Sequence, residues 1–120
     1  MSNHNEAGTA SQDLCEGLAN RLARRIPNFQ VAQSTKWCGF YAEGKKRFAY
    51  VNHRKQMGRI EVWCLGELDA LAMYPNIEVK PRNPSTGGFI NFQARFFLND
   101  QSLLDEAADL LYRVAYARTA

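Results

Sequence analysis

Residues 37–65, WCGFYAEGKKRFAYVNHRKQMGRIEVWCL, decide how the rest of the chain is read. They divide into three strand-like runs separated by two basic turns. In the first run, Trp37, Gly39 and Tyr41 fall on one face and Cys38, Phe40 and Ala42 on the other, the period-2 pattern of a β-strand. Glu43-Gly44-Lys45 supplies a hairpin turn, because glycine tolerates the positive φ that such turns require. RFAYV, residues 47–51, is the second run, and the polar loop NHRKQMG, residues 52–58, ends it. RIEVWCL, residues 59–65, is the third, with Ile60, Val62 and Cys64 opposite Glu61, Trp63 and Leu65.

Outward from this centre, both ends of the chain read as helices. Leu14, Leu18, Leu22 and Ile26 repeat every four residues and make one apolar stripe. Thr9 or Ser11 is the expected cap, Asp13 and Glu16 favour the helix start, and Pro27 ends the helix. Residues 1–10 lack periodicity and are expected to form a disordered tail, leaving residues 11–120 as one domain. Arg21, Arg24 and Arg25 close the helix, and solvation is a more ordinary fate for them than phosphate contact. At the other end, Leu103, Leu104, Ala107, Leu110, Leu111, Val114 and Ala115 form a broad apolar face, capped by Asn99 or Asp100. Its acids come early and its bases, Arg113 and Arg118, late.

Between these helices lie weaker signals. FQVAQ, residues 29–33, alternates and reads as a short strand or an extended entry to the sheet. Residues 67–74 are helix-prone, and residues 76–80, NIEVK, suggest an edge strand. PRNPSTGG, residues 81–88, is the clearest loop. In FINFQARFFL, Ile90, Phe92, Ala94 and Phe96 oppose Asn91, Gln93, Arg95 and Phe97. Hairpin-length connections leave no room for parallel crossovers. The expected class is α+β: an antiparallel sheet of about five strands with the N-terminal and C-terminal helices packed on one face.

Charge is distributed unevenly. Lys36, Lys45, Lys46, Arg47, Arg54, Lys55 and Arg59 stand against the single acid Glu43 across residues 36–59; the chain as a whole is +3, so the remainder is −3. These seven bases are the candidate nucleic-acid-binding residues, because phosphate contacts release counterions and draw in polyanions. Trp37, Tyr41, Tyr50 and Trp63, with Arg95, are the candidates for stacking or for the wall of a ligand pocket. Asn91, Gln93 and Arg95 could reach base edges.

Catalytic signatures are absent. There is no P-loop, GxGxxG, HExxH or GxSxG sequence, and nothing pairs the carboxylates Glu61, Glu67, Asp69 and Glu78. Ser85-Thr86-Gly87-Gly88 could cradle an anion but has the composition of an ordinary loop. Cys15, Cys38 and Cys64 are odd in number and widely spaced, and neither His4 nor His53 is placed as a ligand beside them. Buried free thiols are therefore expected, with no metal and no cofactor. The N-terminus lacks a signal-like segment and no apolar run reaches the roughly 20 residues of a membrane span, so a cytoplasmic protein is the expectation. The resulting reading is a non-catalytic binding module for nucleic acid. The alternatives are a protein–protein or homodimerisation module, and a domain with an aromatic pocket for a nucleotide-like ligand.

The order of elements carries a resemblance. A first helix, a strand with Lys46-Arg47-Phe48-Ala49, the strand RIEVWCL, a Pro/Gly loop, one more strand and a last helix ending LLYRVAYA resemble the MmcQ/YjbR-like and YdhG-like small bacterial domains over residues 12–118. The resemblance implies an α+β fold of the double-wing kind, proposed to bind DNA, with no established active site. The aromatic strand of residues 37–41 departs from that pattern.

Overall fold

A computed structural model describes residues 6–33, 37–42, 46–54, 57–65, 74–81 and 94–117. Helix α1 spans Glu6–Arg25. Strands β1 (Gln30–Gln33), β2 (Trp37–Ala42), β3 (Lys46–Arg54), β4 (Arg59–Cys64), β5 (Lys80–Pro81) and β6 (Ala94–Leu98) follow. A 3-10 turn, Gln101–Leu103, leads into helix α2, Leu104–Ala117. The six strands form one sheet in the order β1-β2-β3-β4-β6-β5, antiparallel at every step. The α+β class is as expected, with six strands in place of about five. The ambiguous residues 30–33 supply the extra edge strand.

Alternation in the strands sorts residues onto two faces. Cys38, Phe40, Ala49, Val51, Ile60, Val62, Cys64, Ala94, Phe96 and Leu98 are all fully buried beneath the helices. Cross-strand pairs Cys38–Val51, Val51–Val62 and Val62–Phe96 run through this layer. Leu14, Leu18 and Leu22 of α1, Ile26 just beyond its end, and Leu104, Leu110, Leu111 and Val114 of α2 close it from above. Each such leucine stabilises the fold by roughly 1.5–3 kcal/mol on burial.

The helices also hold one another. Arg21 Nε donates to Asp105 Oδ1 at 2.7 Å, and Arg25 Nη2 to Asp109 Oδ1 at 3.1 Å. Arg25 also lies over the Tyr112 ring, 4.1 Å from its centroid. Two of the three arginines that end α1 are therefore engaged in helix–helix contacts while partly exposed, and Arg24 is exposed. Gly17 lets the helices approach, since a Cβ there would sit 2.7 Å from Leu104 Cδ1.

Other boundaries differ from expectation for identifiable reasons. Helix α1 starts at Glu6, so residues 6–10, expected in the tail, are helical and Ser11 is buried mid-helix, not a cap. No proline stops the helix from extending back through residues 6–10. Pro27 ends α1 as expected, and Asn28 turns the chain with φ 60°, a left-handed conformation that asparagine tolerates. Strand β3 runs on to Arg54, shortening the expected loop, and Gly58 at φ 63° completes the turn into β4. Edge strand β5 is two residues long and ends in Pro81, which suits an edge because it cannot donate to a further strand. Asp100 caps the 3-10 turn through Ser102 N at 2.8 Å, and the last turn of α2 carries no base. The segments expected as a helix (67–73), as a loop (82–88) and as the start of the last strand (89–93) lie outside the described residues.

Candidate nucleic-acid interface on the open sheet face

The face of the sheet turned away from the helices carries the aromatic and basic side chains. Strands β2, β3 and β4 are adjacent, and their register places Gly39 beside Tyr50 and Tyr50 beside Trp63. Trp37 stacks on Tyr50 with centroids 5.1 Å apart at 25°, and Tyr50 stacks on Trp63 at 5.1 Å and 22°. The three rings form one column across three strands. Tyr50 in the middle is 8% exposed, while both tryptophans are half-buried. Burial, above all, pushes the Tyr50 phenol up, so it is a neutral ring at physiological pH.

Four arginines flank the column. Arg47 lies 5.9 Å from the ring centroids of both Tyr41 and Tyr50. It can do so because Gly39 has no side chain; a Cβ there would meet Arg47 Cδ at 3.1 Å and Tyr41 Cε2 at 3.3 Å. Arg59 sits over Phe97 at 4.1 Å, and Arg95 approaches the same ring at 6.0 Å. Arg54, opposite Arg59 in the ladder, joins Arg95 at a buried carboxylate, Glu61. Such cation–aromatic contacts stabilise by about 0.5–2 kcal/mol and keep the guanidinium groups beside the rings.

Glu61 is the organising group. It is 3% exposed. Its Oε1 accepts from Arg54 Nε at 3.1 Å and from Arg54 Nη2, and its Oε2 accepts from Trp63 Nε1 at 3.0 Å and from Arg95 Nη1 at 3.4 Å. Burial by itself pushes this carboxyl up. The Trp63 and Arg54 hydrogen bonds and the charges of Arg54 and Arg95 outweigh it and hold the group below the usual glutamate range. Donors nevertheless exceed acceptors here: Asn52 Nδ2, Arg59 Nε and Arg95 Nε are buried with no hydrogen-bond partner among the described residues.

Of the residues singled out from sequence, Trp37, Tyr41, Tyr50, Trp63, Arg47, Arg54, Arg59 and Arg95 come together on this face. Lys46 lies in β3 opposite Ala42. Lys36, Lys45 and Lys55, with Asn91 and Gln93, lie outside the described residues. Arg54 is partly neutralised by Glu61. Gly39 and Phe97, assigned from alternation to the faces of Tyr41 and Arg95, are the partners that seat Arg47 and Arg59 there. Beside Tyr41, towards the edge of the sheet, Gln30, Val31 and Ala32 line a shallow groove of about 220 Å³.

The helix side holds a second cluster. The cysteines are free and buried, as expected. However, Cys15 of α1, Cys38 of β2 and His53 of β3 place their ligand atoms within 4.8 Å of one another, which corrects the expectation that no histidine stands near them. A hydrogen bond with Cys38, above all, and burial push the Cys15 thiol up. Cys64 stands apart from this cluster, and burial pushes its thiol up to about 12.

Comparison with protein-family models, with curated proteins and with solved structures gave no match. No helix among the described residues is long and apolar enough to cross a membrane.

Proposed function

We propose that this chain is a non-catalytic binding module whose open sheet face takes a single-stranded nucleic acid. One observation carries the reading: four arginines and a three-ring aromatic column share a face that no described helix covers. Aromatic rings along a sheet offer stacking surfaces to unpaired bases, at about 1–3 kcal/mol per base. Guanidinium groups beside them suit phosphates, and the unpartnered donors on the face suit a ligand rich in acceptor oxygens. The likeness of the Lys46-Arg47-Phe48-Ala49 strand to double-wing domains proposed to bind DNA points to the same ligand class.

The test is fluorescence anisotropy with single- and double-stranded oligonucleotides over a salt series. The expected result is tighter binding of the single strand, weakening as salt rises, and loss of affinity in Arg47→Glu and Trp37→Ala. A flat response at low salt would remove the reading; preference for duplex would move it to the double-wing version.

Strand β1 supports a second reading. It has a partner on one side only among the described residues, and its Val31 is 36% exposed. An edge of this kind can pair with a second copy of the chain. Light scattering over a concentration series tests it, and a monomer throughout would count against a homodimer.

A further inference from the structure

We propose that Cys15, Cys38 and His53 bind one zinc-class divalent ion that clamps α1 to the β2–β3 hairpin. The site lies on the helix side of the sheet and does not depend on the open-face reading.

Three ligands arrive from three regular elements, so their positions are set by the fold. Cys38 faces the helices opposite Val51, and His53 lies two residues further along β3 on that same side. Cys15 reaches down from the buried stripe of α1. The ligand atoms are at most 4.8 Å apart. A zinc tetrahedron, with Zn–S about 2.3 Å and Zn–N about 2.0–2.1 Å, needs edges of roughly 3.5–3.8 Å. Closing that gap takes roughly 1.0–1.3 Å at most, within reach of small side-chain rotations.

Charge selects the ion. Two S–H bonds break, two S–Zn bonds form, the imidazole donates a lone pair, and two protons pass to solvent; no electrons move. Two thiolates, a neutral imidazole and a divalent ion sum to zero, so the loaded site brings no net charge into the core, where an unpaired charge is strongly disfavoured. A monovalent soft ion would leave one negative charge there. Cys15 and Cys38 are buried, whereas His53 is only half-buried. Its side is where the ion enters and where a water completes the fourth position.

The experiment is anaerobic titration of the reduced, full-length chain with cobalt(II), followed by displacement with zinc. The expected result is one equivalent bound, a thiolate-to-cobalt charge-transfer band with tetrahedral visible bands, and a rise in melting temperature with zinc. Cys15→Ser, Cys38→Ser and His53→Gln should each weaken binding more than about 100-fold, beyond what outer-shell changes cause. Cys64→Ser should bind like the parent. Circular dichroism checks folding, and His53→Gln, at the half-buried ligand, keeps the test decisive if a buried cysteine variant does not fold. No charge-transfer band in the folded parent, or an unchanged band in folded His53→Gln, overturns the proposal.

Discussion

Replacing Glu61 by glutamine should have two opposite effects. It conserves shape but removes the buried acidic charge of the open face, and it leaves one acceptor oxygen where there were two. If the amide oxygen stays with Arg54, Trp63 Nε1 loses the acceptor it now has at 3.0 Å. An unsatisfied buried donor costs about 1–3 kcal/mol. Breaking a fully buried ion pair costs about 3–5 kcal/mol. That figure is too large here, because the Arg54 and Arg95 side chains are 47% and 40% exposed and can rehydrate. The expected loss in urea unfolding is therefore about 1.5–3 kcal/mol. Affinity for a single-stranded oligonucleotide should rise at the same time. Arg54 and Arg95 no longer share a carboxylate, and each additional phosphate neutralised steepens the salt dependence by about 0.7 in the log–log slope. Unfolding at 25 °C and anisotropy at several salt concentrations read both effects on one preparation. A stability change below about 0.5 kcal/mol, typical of surface sites, would refute the structural role of the cluster. A folded variant with weaker, less salt-dependent binding would refute the electrostatic reading of the face.

Three further outcomes follow from the packing and the charges. Leu111→Ala should cost about 2–5 kcal/mol, the range for a fully buried leucine; a loss below about 1 kcal/mol would mean that α2 faces another way. Gly17→Ala should destabilise by up to about 2 kcal/mol, because overpacking against Leu104 costs about 1–3 kcal/mol and the helix-propensity gain returns about 1; a stabilised variant in thermal unfolding would show that α1 and α2 have room to separate. Because the folded Glu61 carboxyl titrates below its unfolded value, its contribution is present above the ordinary glutamate range and is lost as pH falls through the folded value. Parent and Glu61→Gln should therefore converge in stability below about pH 4, and a constant gap down to pH 2 would contradict the assignment.

Much of the fold was legible because apolar periodicity is a local property. The stripes of α1 and α2 and the two faces of β2, β4 and β6 could be read from spacing alone. What was not legible depends on register and on which elements meet. The ion pairs of Glu61 do not show in spacing because Arg54 is seven residues away and Arg95 is 34. The Cys15–Cys38–His53 cluster joins three distant segments through the α1 crossing. The contacts of Arg21 and Arg25 are each made 84 residues away along the chain. Strand β1 was ambiguous because its alternation covers only a few residues, and alternation that short fits an extended entry as well as an exposed edge strand.

One local irregularity decides whether the open face is basic at all. Counting back from Tyr50, strict alternation would turn Phe48 towards the open face and Arg47 into the core. The ladder instead shifts by one residue between Phe40 and Tyr41: Phe40 pairs with Ala49, but Tyr41 pairs with Arg47. The extra residue, Phe48, bulges inward, is 1% exposed and packs 6.4 Å from Phe40 and 6.3 Å from Phe29. A bulge of this kind re-aims the side chains that follow it. It buries a phenylalanine worth roughly 1.5–3 kcal/mol and returns Arg47 to the side of Tyr41 and Tyr50. Without the shift, Phe48 would lie exposed and a guanidinium would lose its hydration in the core. The same bulge therefore completes the core on one side of the sheet and delivers the cation to the other.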